Sequence, residues 1–202
     1  MTTIAKDTGS DFTLTPEGTH IARCVQVIDK GTQTSEFYGT KHKILLGFEL
    51  PDAADAAGEP PLVWREYNLS LHAKASLRCD LESWRGRQFS AKELAGFDLK
   101  KLLGVGCMIS VVHQERDGRT FANVQSVMKL PKGTDAPPQV SELRYYDIDA
   151  HDDCRDAFDT FSDNLREAIM RSAEMQARNG DGQPLAEAAA DVAEADEVDI
   201  PF

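Results

Sequence analysis

The sequence has no run of eighteen apolar residues, no closely spaced cysteine pair and no recognisable catalytic motif. The first absence argues against a helical membrane span. The opening stretch "MTTIAKDTGSDFTLTPEGTH" also lacks the apolar centre of a secretory signal, so a cytoplasmic protein is expected. Cys24, Cys79, Cys107 and Cys154 lie far apart, which points to buried free thiols in a reducing compartment and not to a disulfide framework or a zinc site. No phosphate-binding loop, H-E-x-x-H or G-x-S-x-G is found, and His20, His42, His72, His113 and His151 are scattered. "NGDGQ" (179–183) lacks the alternating ligands of a calcium loop, and nothing fixes the geometry of the carboxylates in "DIDAHDDCRD" (147–156). No cofactor and no metal is expected, and the chain reads as a binding protein, not an enzyme.

Basic residues are scarce only in the rear of the chain. Residues 1–134 carry 17 Lys and Arg against 16 Asp and Glu, whereas residues 135–202 carry 5 against 18. Such asymmetry marks an acidic appendage behind a near-neutral body, and a merely solubilising tail would look the same by composition. Four segments follow: a flexible 1–15, a domain over 16–132, a linker with an amphipathic helix over 133–178, and an acidic tail over 179–202. In the third, Phe158, Phe161, Leu165 and Ile169 recur at near-helical spacing. The tail holds no basic residue and too little apolar surface to order itself.

The body reads as β-structure. "THIARCVQVIDKGTQ" (19–33) is rich in β-branched residues, "KHKILLGFELP" (41–51) alternates, and so does "LVWREYNLSL" (62–71). Asp117-Gly118 splits residues 105–130 into a hairpin, because that turn requires positive φ. Between the third and fourth strands the period changes. Leu77, Leu81 and Trp84 lie at helical spacing with Gly86 as the stop, Ser90 and Glu93 form a capping box, and residues 97–104 suggest a short helix. Three strands, a helical segment and a hairpin give the order of a mainly β, five-stranded OB-fold barrel, a fold that binds oligonucleotides or oligosaccharides.

The aromatic and basic residues fall where the groove of such a barrel would lie. The first loop supplies Phe37, Tyr38, Lys41 and Lys43; the third strand supplies Trp64 and Arg65; the last hairpin supplies Arg116, Arg119 and Phe121. Single-strand binders pair a positive groove with aromatic faces on which bases stack. Each residue has a plainer alternative. Trp84, Phe48 and Tyr67 continue apolar stripes and are expected in the core. Trp64 stands on the polar face of its strand, where surface residue and stacking platform fit equally. Arg116 and Arg119 flank a turn, where solvated charges are common. Lys74, Arg78 and Arg85 share a helix face that ordinarily meets solvent.

The chain closes with Asp199-Ile200-Pro201-Phe202 behind an acidic stretch, an ending that resembles the C-terminal tip of bacterial single-stranded DNA-binding proteins. Val198 departs from the unbroken acidic run usual there. The body, through "HIARCVQVIDKGTQ", "GTKHKILLGFELP", "REYNLSLHAKASLRCDLESWRGR", "ELAGFDLKKLLG" and "RDGRTFANVQSV", is similar to phage- and prophage-encoded single-stranded DNA-binding proteins over roughly residues 16–132. The resemblance implies an OB-fold that coats single-stranded DNA and a tail that docks on replication, recombination and repair proteins. Two readings of other classes stand beside it: an OB-fold adaptor that binds only proteins, and a carboxylate-metal nuclease.

The tail yields the first test. Residues 181–202 carry seven carboxylates and no cation. Tethered near a basic groove they compete with DNA, weakly, because exposed charges are screened within about 8–10 Å at physiological salt. Deleting 181–202 should tighten oligo-dT binding, more at low salt than at high, and should abolish partner recovery in pull-downs. Phe202→Ala should abolish recovery while leaving DNA affinity unchanged; equal recovery with all three chains would refute a docking tip.

Overall fold

The computed structural model describes residues 14–35, 39–55, 58–116 and 118–180. Its organising element is β1 (Gly18–Ser35), followed by β2 (Gly39–Glu49), β3 (Leu62–Asn68), β4 (Gly106–Arg116), β5 (Arg119–Met128) and a short β6 (Arg144–Tyr146). Hydrogen bonding gives the antiparallel order β3-β2-β1-β4-β5, with β6 joined to β1 in parallel. Arg23 pairs with Glu49 of β2 and Gly106 of β4, and Gln26 pairs with Gly47 of β2 and Arg144 of β6. One edge of β1 thus holds β2, and the other is shared by β4 and β6. Register shifts between Cys24 and Gln26 and between Asp29 and Gly31 bend this 18-residue strand, as bulges do.

Successive strand residues point to opposite faces. Across the β1–β2 ladder Val27 faces Leu46 and Ile28 faces Leu45. Val27 and Leu46 enter a first core with Ala22, Cys24, Ile44, Phe48, Val63, Tyr67, Ile109, Val111, Val124 and Val127. The helix α1 (Ser76–Arg85) seals this core with Leu77, Leu81 and Trp84, and Trp84 donates Nε1–H to the Gly106 carbonyl at 2.9 Å. Gly86, at φ +67°, stops the helix. The capping box opens α2 (Ala91–Leu94), while residues 97–104 yield only a 3-10 turn at Leu99–Leu102. Trp84, Phe48 and Tyr67 are core residues, as their stripes required. The sheet curls around this core but does not close into a barrel: no ladder joins β3 to β5 among the described residues, which meet through core side chains and through the Arg65 guanidinium, donating from Nη1 to the Val124 carbonyl at 2.9 Å.

Ile28 and Leu45, on the opposite face, belong to a second core. Ile28 is buried with Tyr146, Ile148, Phe158, Phe161, Ile169 and Met175, and Leu45 packs against them. Beyond β1 and β2 these residues come from β6 and the turn after it, from α3 (Arg155–Asp159), α4 (Asp163–Met170) and α5 (Ala173–Arg178), and, for Phe161, from the bend between α3 and α4. The expected single helix over 158–175 is corrected here. Thr160, Ser162, Arg171 and Ser172 interrupt it, with Ser162 and Ser172 in extended conformation ahead of α4 and α5. Three short helices wrap the sheet, and their apolar residues dock on this chain's own β1 and β2.

The intervening stretch 131–142 is pinned, not a free linker. Arg23 donates Nε–H to the Pro137 carbonyl at 2.9 Å. The fully buried Glu49 carboxylate accepts from the amides of Val140 at 3.1 Å and Ser141 at 2.7 Å. Two charged side chains thereby satisfy backbone groups instead of each other. Cys24 and Cys107 are buried free thiols as expected, and burial pushes Cys24 up to about 12. Cys79, contrary to expectation, is exposed, and Cys154 is half-buried. No helix among the described residues is long and apolar enough to cross a membrane.

A polar latch ties α5 to the sheet. Glu174 accepts from the Thr32 amide at 2.7 Å and hydroxyl at 2.5 Å, and lies 3.6 Å from His42 Nδ1. His42 Nε2 is 2.7 Å from Asp29 Oδ1. Gly31 lets α5 come this close, since a Cβ there would sit 2.8 Å from that of Ser172. The Asp29 hydrogen bond, against the opposing effect of burial, raises His42 above its ordinary 6.5, with Asp29, Glu174 and Asp149 adding their charge. His151 shifts the other way: burial first, then Arg155 and Arg178, lower it despite Asp152 and Asp159. A raised histidine stabilises the fold below 6.5 and loses that contribution as pH rises through its folded value; a lowered one costs stability as pH falls below 6.5. Amide protection of α4 and α5 in hydrogen exchange should therefore peak near pH 6.5. His42→Gln should flatten the alkaline limb alone, and a monotonic profile would contradict the latch.

Candidate nucleic-acid interface

Trp64 is the best-built exposed aromatic. It stands on the outer face of β3, opposite Gly47 of β2, which pairs in turn with Gln26 of β1. A Cβ at Gly47 would lie 3.0 Å from Trp64 Nε1 and 2.9 Å from Gln26 Cβ. The missing side chain leaves room for the indole to reach across β2, where Nε1–H donates to Gln26 Oε1 at 3.2 Å. Gln26 is itself buried, so the ring is held from beneath while Trp64 remains 43% exposed. An indole fixed by one edge and open to solvent can stack on a base without first losing much rotamer freedom.

The neighbouring charges are partly neutralised. Glu66, two residues along the same face, pairs with Lys30 and lies 3.4 Å from Lys43. Burial pushes this carboxyl up, but Lys30 and Lys43 outweigh it and hold Glu66 below the usual carboxylate range. Lys43 is therefore engaged within the protein. Lys41 is exposed at the far end of β2, opposite Gln33.

Arg65 does not belong with Trp64. It points to the inner face, where Nε pairs with Asp80 at 3.1 Å, Nη1 reaches Val124 and the guanidinium lies 5.1 Å from the Tyr67 ring centroid. Tyr67 donates its hydroxyl to Asp80 at 2.7 Å. Burial raises the Asp80 carboxyl, with the Tyr67 and Arg65 contacts opposing it. This half-buried triad fastens β3 to α1 and β5 and engages the Arg65 guanidinium, expected at the interface, within the protein.

Gln114 pairs with Phe121 and Arg116 with Arg119 across the β4–β5 ladder, which puts all four on one face. Phe121 is 45% exposed, and both arginines are exposed with no carboxylate partner among the described residues. On α1, Arg78 pairs with Glu82 and Arg85 with Glu93; Lys74, expected on the same helix, lies in the turn before it and is exposed. Phe37, Tyr38 and the tip Asp199-Ile200-Pro201-Phe202 lie outside the described residues. Alternation found the outward side of Trp64; no local signal announced that Gly47 and Gln26 would form its seat.

No group of three or more His, Cys, Asp and Glu able to hold a metal ion occurs among the described residues. No protein-family model matches the chain, and no curated protein matches it significantly.

Two substitutions separate the roles on β3. Trp64→Ala should weaken oligo-dT binding by about 1–3 kcal/mol at unchanged melting temperature. Arg65→Ala should lower the melting temperature, because it strips Asp80 of its cation in a half-buried site. Normal DNA affinity in Trp64→Ala would remove the indole from the interface.

Proposed function

We propose that this chain is an OB-fold protein that binds single-stranded DNA with little sequence preference and, through its acidic tail, recruits replication, recombination and repair proteins. The observation that carries the reading is the seated, solvent-open Trp64 on the outer face of β3. Strand order 3-2-1-4-5 with a helix between β3 and β4 supports the fold reading, the β3–β5 gap being bridged by Arg65. Phe121, Arg116 and Arg119 on the β4–β5 hairpin add a second aromatic and two cations without an ion-pair partner among the described residues, at the other position where OB-folds meet oligonucleotides. The function is binding without bond cleavage: the aromatic and cationic groups suit stacking and phosphate contact, and the half-buried Tyr67–Asp80–Arg65 group faces the core.

The adaptor reading has one observation in its favour. The α3–α5 unit covers the outer face at Ile28 and Leu45, and Glu66 neutralises two of its lysines. What remains open there is narrower than a bare sheet face.

Fluorescence anisotropy with labelled oligo-dT across a salt series decides between the two readings. Log affinity should fall linearly with log salt, with a slope of about −0.7 per phosphate neutralised. Glu66→Gln, which frees Lys30 and Lys43, should tighten binding and steepen that slope. Absence of binding at low salt would leave the adaptor reading.

A further inference from the structure

At the end of β1 farthest from β4, a polar groove of about 290 Å³ separates the strand from the helical unit. Thr32, Gln33 and Thr34 line one wall; Arg171, Ala173 and Gln176 line the other. Five of these six side chains can form hydrogen bonds, and the only ionised one is a cation. The inward groups are already committed. Thr32 binds Glu174, and Gln33 Nε2 donates to the carbonyls of Lys30 at 2.7 Å and Ala168 at 3.0 Å; the Thr34 hydroxyl, 3.3 Å from that of Thr40, is exposed. Arg171 and Gln176 are exposed.

Arg171 differs from the other arginines of the unit. Arg155, Arg166 and Arg178 each face a carboxylate, Asp159, Asp163 and Asp152 respectively. Arg171 has no ion-pair partner among the described residues, although the segment from 135 to 180 carries 11 acids against 5 arginines. The groove opens beside a second cation without an ion-pair partner among the described residues. Gln33 lies opposite Lys41 in the β1–β2 ladder, which puts both on the same face. A larger cavity of about 690 Å³ between α3, α4 and α5 offers no such free charge, since its arginines are the paired ones.

We propose that this groove is an extension of the single-strand site, in which Arg171 meets a backbone phosphate and Gln176 and Thr34 hydrogen-bond the sugar or the adjoining phosphate, so that the helical unit is part of the nucleic-acid interface. The inference rests on the single-strand reading above. Its chemistry is that of the backbone and not of the bases: a guanidinium, an amide and a hydroxyl, with no ring among the described lining residues, suit phosphate and sugar oxygens. The covering of Ile28 and Leu45 by α3–α5 then relocates part of the binding surface onto the helices.

The test uses the full chain and a ladder of oligo-dT lengths, measured by anisotropy at several salt concentrations. Arg171→Ala should reduce the magnitude of the salt slope by about 0.7 and weaken binding of long oligonucleotides 3–10-fold at low salt. Short oligonucleotides held only at Trp64 should bind the variant and the parent chain equally. Arg171→Lys should restore the slope, and Gln176→Ala should weaken binding of long oligonucleotides without changing it. Melting temperature should stay constant throughout, since Arg171 is exposed and unpaired. If the parent chain binds oligo-dT and Arg171→Ala binds every length with the same affinity and slope, the groove is not part of the site. If the parent chain binds no oligo-dT at all, the single-strand reading itself falls and the groove proposal with it.

Discussion

The structure depends on one ladder that is apolar on both faces. Where β1 crosses β2, Val27 and Leu46 enter one core while their neighbours Ile28 and Leu45 enter another. A sheet that met water on its outer side would carry polar residues there and need nothing beyond residue 130. Burying a side chain such as Ile or Phe is worth about 1.5–3 kcal/mol, so leaving Ile28, Leu45, Phe158 and Phe161 in water would cost a large share of a domain's net stability. The helical unit is therefore an integral layer of the fold.

That layer shapes the candidate interface. It occupies the outer face over β1 and the middle of β2 and leaves Trp64, at β3, uncovered. Glycine at 47 is decisive here, because any side chain would displace the indole or Gln26 beneath it. Polar devices fix the margins: Arg23 and Glu49 hold the connecting stretch by its backbone, and Glu174 with His42 and Thr32 holds the last helix. Each satisfies a polar group that would otherwise be buried without a partner, which makes the arrangement specific as well as stable.

Electrostatically, several cations without an ion-pair partner among the described residues come from different elements. Arg116 and Arg119 lie on one hairpin, Lys41 on another, and Arg171 on the helical unit, while Lys30 and Lys43 are bound to Glu66. A near-neutral body can still bind a polyanion if its anions are paired inward and its cations left free, since the local field and not the net charge is what a phosphate meets.

By itself the sequence determined the five long strands, the α1 stripe with its Gly86 stop, the Ser90–Glu93 capping box and the Asp117-Gly118 hairpin. Each is a local pattern with a local cause: side-chain period, cap chemistry or the φ that a turn demands. It also put Trp84, Phe48 and Tyr67 in the core. Tertiary structure decided what local pattern could not contain. Trp64 and Arg65 are adjacent in sequence, yet one became a seated, solvent-open indole and the other the cation of a half-buried triad, because period two sends them to opposite faces and only packing tells what waits on each. β6 is three residues long and exists only because β1 offers a free edge there. The 158–175 stretch reads as one amphipathic helix, but a curved sheet face is covered better by three short helices than by one straight rod. Arg171 carries no signal in its own neighbourhood; that it has no ion-pair partner among the described residues is a fact of three-dimensional placement.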